Sequence, residues 1–316
     1  MILCLGTTPA VQRVMRFRKL TLDAVNRAVQ TLDGAAGKSI NVAKVLHTLG
    51  EHPVATGFLG GDRGEYLRAL LESRRIESDF IQVATRTRQC VTLIDESNRA
   101  VTELVEESGS VAAEDFEKLL AIVRRRRPKC RALVMSGTIA AGGPVDLYRE
   151  CTRLANEASV LSVVDAQGAA LREALKASPG VVKPNRLELA ASVGRELKNE
   201  ASVMEAMQEL AERGAQHVIV TAGKEPALGF DGRSFWRITA PKIVPVNPIG
   251  SGDAFTAALV WRLLHGDDLG EACRWASAAG AANALTPLAG EVHREDVERL
   301  AREVKVESLG TGLPKP

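Results

Sequence analysis

Hydrophobic and polar positions fall into two regimes along the chain. Met1-Ile-Leu-Cys-Leu5 is a continuous apolar run stopped by Gly6, the pattern of a short buried strand. Val54–Leu59 is similar and runs into Gly60-Gly-Asp-Arg-Gly64, then an amphipathic helix around Tyr66–Ser73. Residues 11–17 alternate apolar with polar, as a half-exposed strand does. Arg86–Asp95 and Ala100–Val105 alternate on either side of Glu96-Ser-Asn-Arg99, which predicts a β-hairpin. Segments 11–17 and 86–105 together predict a small separate sheet, a lid inserted into one domain spanning 1–316.

From Ala112 onward helix and strand patterns take turns. Helices are expected at Glu114–Arg127, Val145–Glu157, Ala170–Ala177, Met204–Gly214 and Ala276–Leu285. Strands are expected at Ala132–Ser136, Val160–Asp165, Gly180–Lys183 and His217–Thr221. An apolar run ending near Val246 reads as one more strand, and the alanine-rich run from Asp253 as a helix. Repeated βα units with continuous apolar strands predict an α/β fold: a mostly parallel sheet with helices on both faces. The tail 308–316 is expected to be disordered.

Composition narrows the function classes. The formal net charge of +2 gives no electrostatic case for nucleic acid or membrane partners. The Arg124-Arg-Arg-Arg-Pro-Lys129 cluster reads as the solvated basic end of a helix stopped by Pro128. Five scattered cysteines without CxxC spacing point to reduced thiols, and five histidines without HExxH pairing oppose a protein-held transition metal. The chain opens on an apolar strand without a basic leader, and no apolar run approaches the ~20 residues that span a bilayer. A cytoplasmic protein is expected.

Two glycine turns carry candidate chemistry. Gly250-Ser-Gly-Asp253 delivers unpaired main-chain N–H groups to a helix start, where an anion is stabilised. Asp253 there is either an N-cap or a base that takes a proton from an attacking hydroxyl. Gly34-Ala-Ala-Gly-Lys-Ser39 superficially matches a phosphate-binding P-loop, but Leu32 stands where its first glycine belongs. Lys38 is either a cation seated beside free helix-start amides, suited to a substrate phosphate, or an ordinary surface lysine. The turns Ser136-Gly-Thr138, Lys183–Glu188 and Thr221-Ala-Gly223 join Gly250–Asp253 at the carboxyl edge of the expected sheet, where ligands of such sheets gather.

Asn247-Pro-Ile-Gly-Ser-Gly-Asp253 resembles the signature of the ribokinase-like (PfkB) sugar kinases, in the form of 1-phosphofructokinase and tagatose-6-phosphate kinase. Gly34–Ala43, Lys183-Pro-Asn-Arg-Leu-Glu-Leu189 and Thr221–Pro226 resemble further elements of that family, in the family's order. The resemblance implies a ribokinase-like three-layer sandwich with a β lid, and ATP-dependent phosphorylation of a phosphosugar hydroxyl. It implies Asp253 as base and the amides of Gly250, Ser251 and Gly252 as the hole for the transferred phosphoryl. Gln12, Gly37, Lys38, Asn41, Arg88 and Ser136 would bind substrate, with Lys38 and Arg88 on its existing phosphate. Lys183, Asn185, Thr221, Gly223 and Asn283 would meet the nucleotide, and Glu188 would help place Mg²⁺ through water. The resemblance also implies a homodimer through the lid. This chain departs from the pattern at Gln12 (family Asp), Cys90 (family Asn), Pro226 (family Gly), and at Ala36 and Ser39 (family Gly). A kinase of an unphosphorylated sugar or nucleoside, and a non-catalytic sugar or nucleotide sensor, remain open at this point.

Overall fold

A computed structural model describes residues 1–311. Its first half runs β1 (Ile2–Gly6), β2 (Ala10–Phe17), β3 (Gln30–Ala36), α1 (Lys38–Thr48), β4 (Pro53–Leu59), α2 (Gly61–Ser73), β5 (Glu77–Gln82), β6 (Arg88–Asp95), β7 (Ala100–Val105), α3 (Ala113–Arg126), β8 (Ala132–Ser136) and α4 (Leu147–Glu157). It continues with β9 (Leu161–Asp165), α5 (Gly168–Leu175), β10 (Val181–Val182), α6 (Arg186–Val193), α7 (Glu200–Glu212), β11 (His217–Ala222), β12 (Glu225–Phe230), β13 (Phe235–Thr239), α8 (Ser251–Leu263), α9 (Leu269–Ala284), α10 (Arg294–Ala301) and β14 (Lys305–Gly310).

The main sheet has ten strands in the order β14-β13-β12-β11-β10-β9-β8-β1-β4-β5. Pairs from β5 to β11 are parallel, and β11 through β14 pair antiparallel. The parallel strands are apolar throughout because alternate side chains enter two different cores. On β1, Ile2 and Cys4 join the core beneath α1, α2, α8, α9 and α10, whereas Leu3 and Leu5 join the core beneath α3 to α7. These three layers bear out the expected mostly parallel α/β sandwich. No described helix is long and apolar enough to cross a membrane.

The second sheet has the order β3-β2-β6-β7 and bears out the expected lid, with the 96–99 turn closing its hairpin. The strand β3 was not foreseen: its run Gln30-Thr-Leu-Asp-Gly-Ala-Ala36 lacks β-branched weight, and pairing to β2 supplies what propensity does not. β5, the β12–β13 hairpin and β14 also escape the sequence pattern. The tail 308–316 is corrected in part, since Ser308 to Gly310 pair with β13 and complete the sheet edge; 312–316 lie outside the described residues.

The expected strand ending near Val246 does not exist. Residues 240–250 are irregular, because Pro241, Pro245 and Pro248 remove ladder donors. The segment is instead tied to the end of α9: the amides of Val246 and Asn247 donate to the carbonyl of Ala284 at 2.7 and 3.1 Å. The basic run behaves as expected. α3 ends at Arg126, and Arg125, Arg126 and Arg127 pair with Asp79, Glu77 and Glu157.

Candidate active site

A cleft of about 360 Å³ opens between the lid and the carboxyl edge of the main sheet. Gln12, Gly37, Lys38, Asn41, Arg88, Lys183, Asn185, Glu188, Thr221, Gly250, Gly252 and Asp253 all line it. Twelve residues chosen from separate turns thus converge on one cavity.

α8 supplies the base candidate. Gly250 occupies its N-cap at φ 85°, and a Cβ there would sit 2.8 Å from that of Ala289, so only glycine fits the turn. Asp253 is the third helical residue, which corrects the N-cap reading: its side chain caps nothing. Its Oδ2 accepts a 2.7 Å hydrogen bond from Asn41 Nδ2. The amide of Ser251 turns back to the carbonyl of Pro248 at 3.2 Å, and no hydrogen bond among the described residues occupies the amides of Gly250 and Gly252. Two of the three expected anion-hole donors therefore belong to cleft-lining residues and are unpaired among the described residues.

Behind the base lies a buried charge cluster. Asp165, at the end of β9, is 1% exposed and lies 3.0 Å from Lys183 Nζ and 3.1 Å from Lys38 Nζ. Burial opposes its ionisation, but Lys183 and then Lys38 outweigh this and hold its carboxyl down at about 2. Sequence reasoning missed Asp165, although a carboxylate ending a continuous apolar strand was a usable signal. Lys38 also approaches Glu188 at 3.6 Å. Asp165 foremost, then Asp253 and Glu188, keep its ammonium above the ordinary lysine range against burial. Lys38 is thus neutralised beside the Lys183–Glu188 turn. For Asp253, burial is the largest influence and pushes the carboxyl up to about 6; Asp165 adds to it, while Lys38, Asn41 and Lys183 pull it back.

Other expected residues stand differently. Glu188 and Asn185 form a capping box on α6, each side chain bonded to the other's amide. Arg88 Nε donates to the carbonyl of Thr8 at 3.2 Å. Both polar atoms of Gln12 bond within the protein. Ser136 is buried at 2% exposure without lining the cleft. Gly223 sits in the β11–β12 turn, also off the cleft. Asn283 is fully buried on α9, where it holds the anion turn: Nδ2 donates to the carbonyl of Ile249 and Oδ1 accepts from the amide of Gly290. Glu103, unforeseen, reaches the cleft from β7, its carboxyl pushed up by burial and restrained by Arg88.

Among the described residues no group of three or more His, Cys, Asp or Glu side chains could hold a metal.

The pfkB family carbohydrate kinase model matches residues 1–295. The tagatose-6-phosphate kinase of Staphylococcus epidermidis is 30% identical over 309 residues, covering 97% of this chain and 99% of that protein. The "Possible 1-phosphofructokinase" of Thermotoga maritima superposes with a TM-score of 0.90 at 26% identity, over 98% of this chain and 99% of that one. Phosphofructokinase-2 of Escherichia coli gives 0.85 at 25% identity, over 95% and 97%.

The raised carboxyl of Asp253 predicts a stability signature. Well below pH 3.8 the side chain is protonated folded and unfolded alike; as pH rises from 3.8 through about 6, ionisation increasingly disfavours the folded state. Asp253→Asn should therefore be more stable than the parent at pH 8, by on the order of 1–3 kcal/mol, with most of the gain gone by about pH 4. Urea unfolding at both pH values checks this, and a variant less stable than the parent at pH 8 contradicts it.

Proposed function

The chain belongs to the pfkB carbohydrate kinase family, and we propose that it transfers the γ-phosphoryl of ATP to a hydroxyl of a phosphosugar of the fructose 1-phosphate or tagatose 6-phosphate type. The observation that carries this reading is Asp253, oriented by Asn41 beside the unpaired amides of Gly250 and Gly252. In the reaction the acceptor O–H bond breaks towards Asp253 and its oxygen forms a bond to the γ-phosphorus. The bond from that phosphorus to the β-phosphate oxygen breaks, releasing ADP. The two amides and Lys183 stabilise the charge on the transferring group.

The pairing of Lys38 with Asp165 and Glu188 supports a revised division of labour. We assign Lys38 to the transferring phosphoryl and Arg88, on the lid, to the phosphate the acceptor already carries. We assign Lys183, Asn185 and Thr221, which line the cleft, to the nucleotide. Mg²⁺ bound to the nucleotide would supply further charge neutralisation, with Glu188 meeting it through water. Asn283 supports the anion turn rather than the adenine.

The lid also supports a homodimer. Register puts Met15, Val91, Leu93 and Leu104 on the sheet face turned away from Gln12, and Leu104 is 53% exposed. That apolar face suits the same face of a second copy.

Four measurements test the reading. Asp253→Asn should lower kcat by about 10²–10⁴-fold, and kcat/KM of the parent should fall as pH drops below about 6; turnover surviving intact in the variant excludes this base. Arg88→Ala should raise KM for a phosphorylated acceptor by about 10–100-fold and leave plain sugars unaffected. A screen in which free sugars outcompete phosphosugars overturns the acceptor class. Sedimentation should give a dimer that Leu93→Glu converts to monomers.

A further inference from the structure

Gln12 occupies the lid position at which the sugar kinases carry an aspartate, and although it lines the cleft its amide is spent on bonds within the protein. It is 1% exposed, and both polar atoms of its amide are engaged. Nε2 donates to Thr92 Oγ1 on the neighbouring lid strand at 3.2 Å, and Oε1 accepts from the amide of Ala289 at 3.1 Å.

Ala289 is no ordinary loop residue. Its Cβ lies 2.8 Å, and the nitrogen of Gly290 2.9 Å, from where a side chain on Gly250 would stand, so this pair forms the back of the anion turn. The carbonyl of Ala289 accepts a 2.6 Å bond from Lys44 Nζ, and the amide of Gly290 donates to Asn283 at 2.7 Å. Lys44 is itself buried on α1, the helix that carries Lys38 and Asn41, and also donates to Ala35 of β3. Leu288 packs against Val14 and Ile94 on the cleft face of the lid. Lid, α1 and the anion turn therefore meet at residues 288–290.

We infer that Gln12 is a positioning residue: it latches the lid to the segment behind the anion turn through the Ala289 amide, and it does not act as a sugar ligand. An aspartate could not replace it, being one methylene too short to reach both partners. The latch fixes the lid over the reacting atoms and keeps water from taking the phosphoryl group in place of the sugar. The inference rests on the phosphoryl-transfer reading for its kinetic consequences only; the structural link stands apart from it.

The test compares Gln12→Ala, Gln12→Glu and Thr92→Val in the full chain, each checked for folding by circular dichroism. A glutamate keeps the length and accepts from both the Ala289 amide and the Thr92 hydroxyl. In the free protein, Gln12→Ala should exchange amide hydrogens faster by about tenfold or more in segments 10–17, 88–95 and 286–291, with the main sheet unchanged. Thr92→Val should shift the same segments, and Gln12→Glu should restore them. Kinetically, Gln12→Ala should raise acceptor KM about tenfold, leave KM for ATP unchanged and increase ATP hydrolysis without acceptor. Unchanged exchange in Gln12→Ala overturns the latch even if acceptor KM rises, since that pairing marks a direct ligand. Gln12→Glu behaving like Gln12→Ala also overturns it. Should no phosphosugar prove to be a substrate, the exchange arm still decides.

Discussion

Two aspartates and two lysines share one poorly hydrated corner of this protein, and the site depends on their mutual neutrality. Asp165 and Lys183 have side chains 1% and 4% exposed. A lone buried charge in that setting would be untenable, and Asp165 is tolerated ionised because Lys183 and Lys38 are present. The arrangement also sets the strength of the base. Burial pushes the Asp253 carboxyl up, and Lys38, Asn41 and Lys183 restrain it to about 6, where it is ionised at neutral pH and still basic. Asp165 is thus needed to hold the ammonium groups, although it touches no reacting atom.

The architecture around that corner follows from the α/β winding. Lys183 and Asp165 stand at the ends of adjacent parallel strands, and Lys38 and Asn41 begin the helix that packs beneath β1 and β4. Small residues let the remaining piece approach. Ala254, Ala257 and Ala258 of α8 meet Ala276, Ala279 and Gly280 of α9, and a Cβ on Gly280 would lie 3.1 Å from the carbonyl of Ser251. The alanine-rich stretches are there to bring two helix backbones together under the anion turn.

What the chain revealed in advance was local. Continuous apolar runs announced β1, β8 and β9, and glycine turns announced the convergent residues. What it concealed was pairing. The strands β3 and β14 have little intrinsic β character and exist because a neighbour offers its edge. Prolines hid the irregular 240–250 segment behind an apolar run. The role of Asp165 needed two lysines from distant positions, and that of Gln12 needed an amide 277 residues away. Pro226, a departure from the family glycine, lies on β12 next to the point where the β11–β12 register shifts, so its missing N–H falls where the ladder is already broken.

The lid has no continuous stretch of its own. β2 pairs in parallel with β6, and the chain between them winds through β3, α1, β4, α2 and β5, four of which build the body of the molecule. A parallel pair of that kind cannot close as a local hairpin and must await the intervening layers. The cover over the cleft is therefore an accomplishment of the finished body, and no excised fragment of this polypeptide would carry it.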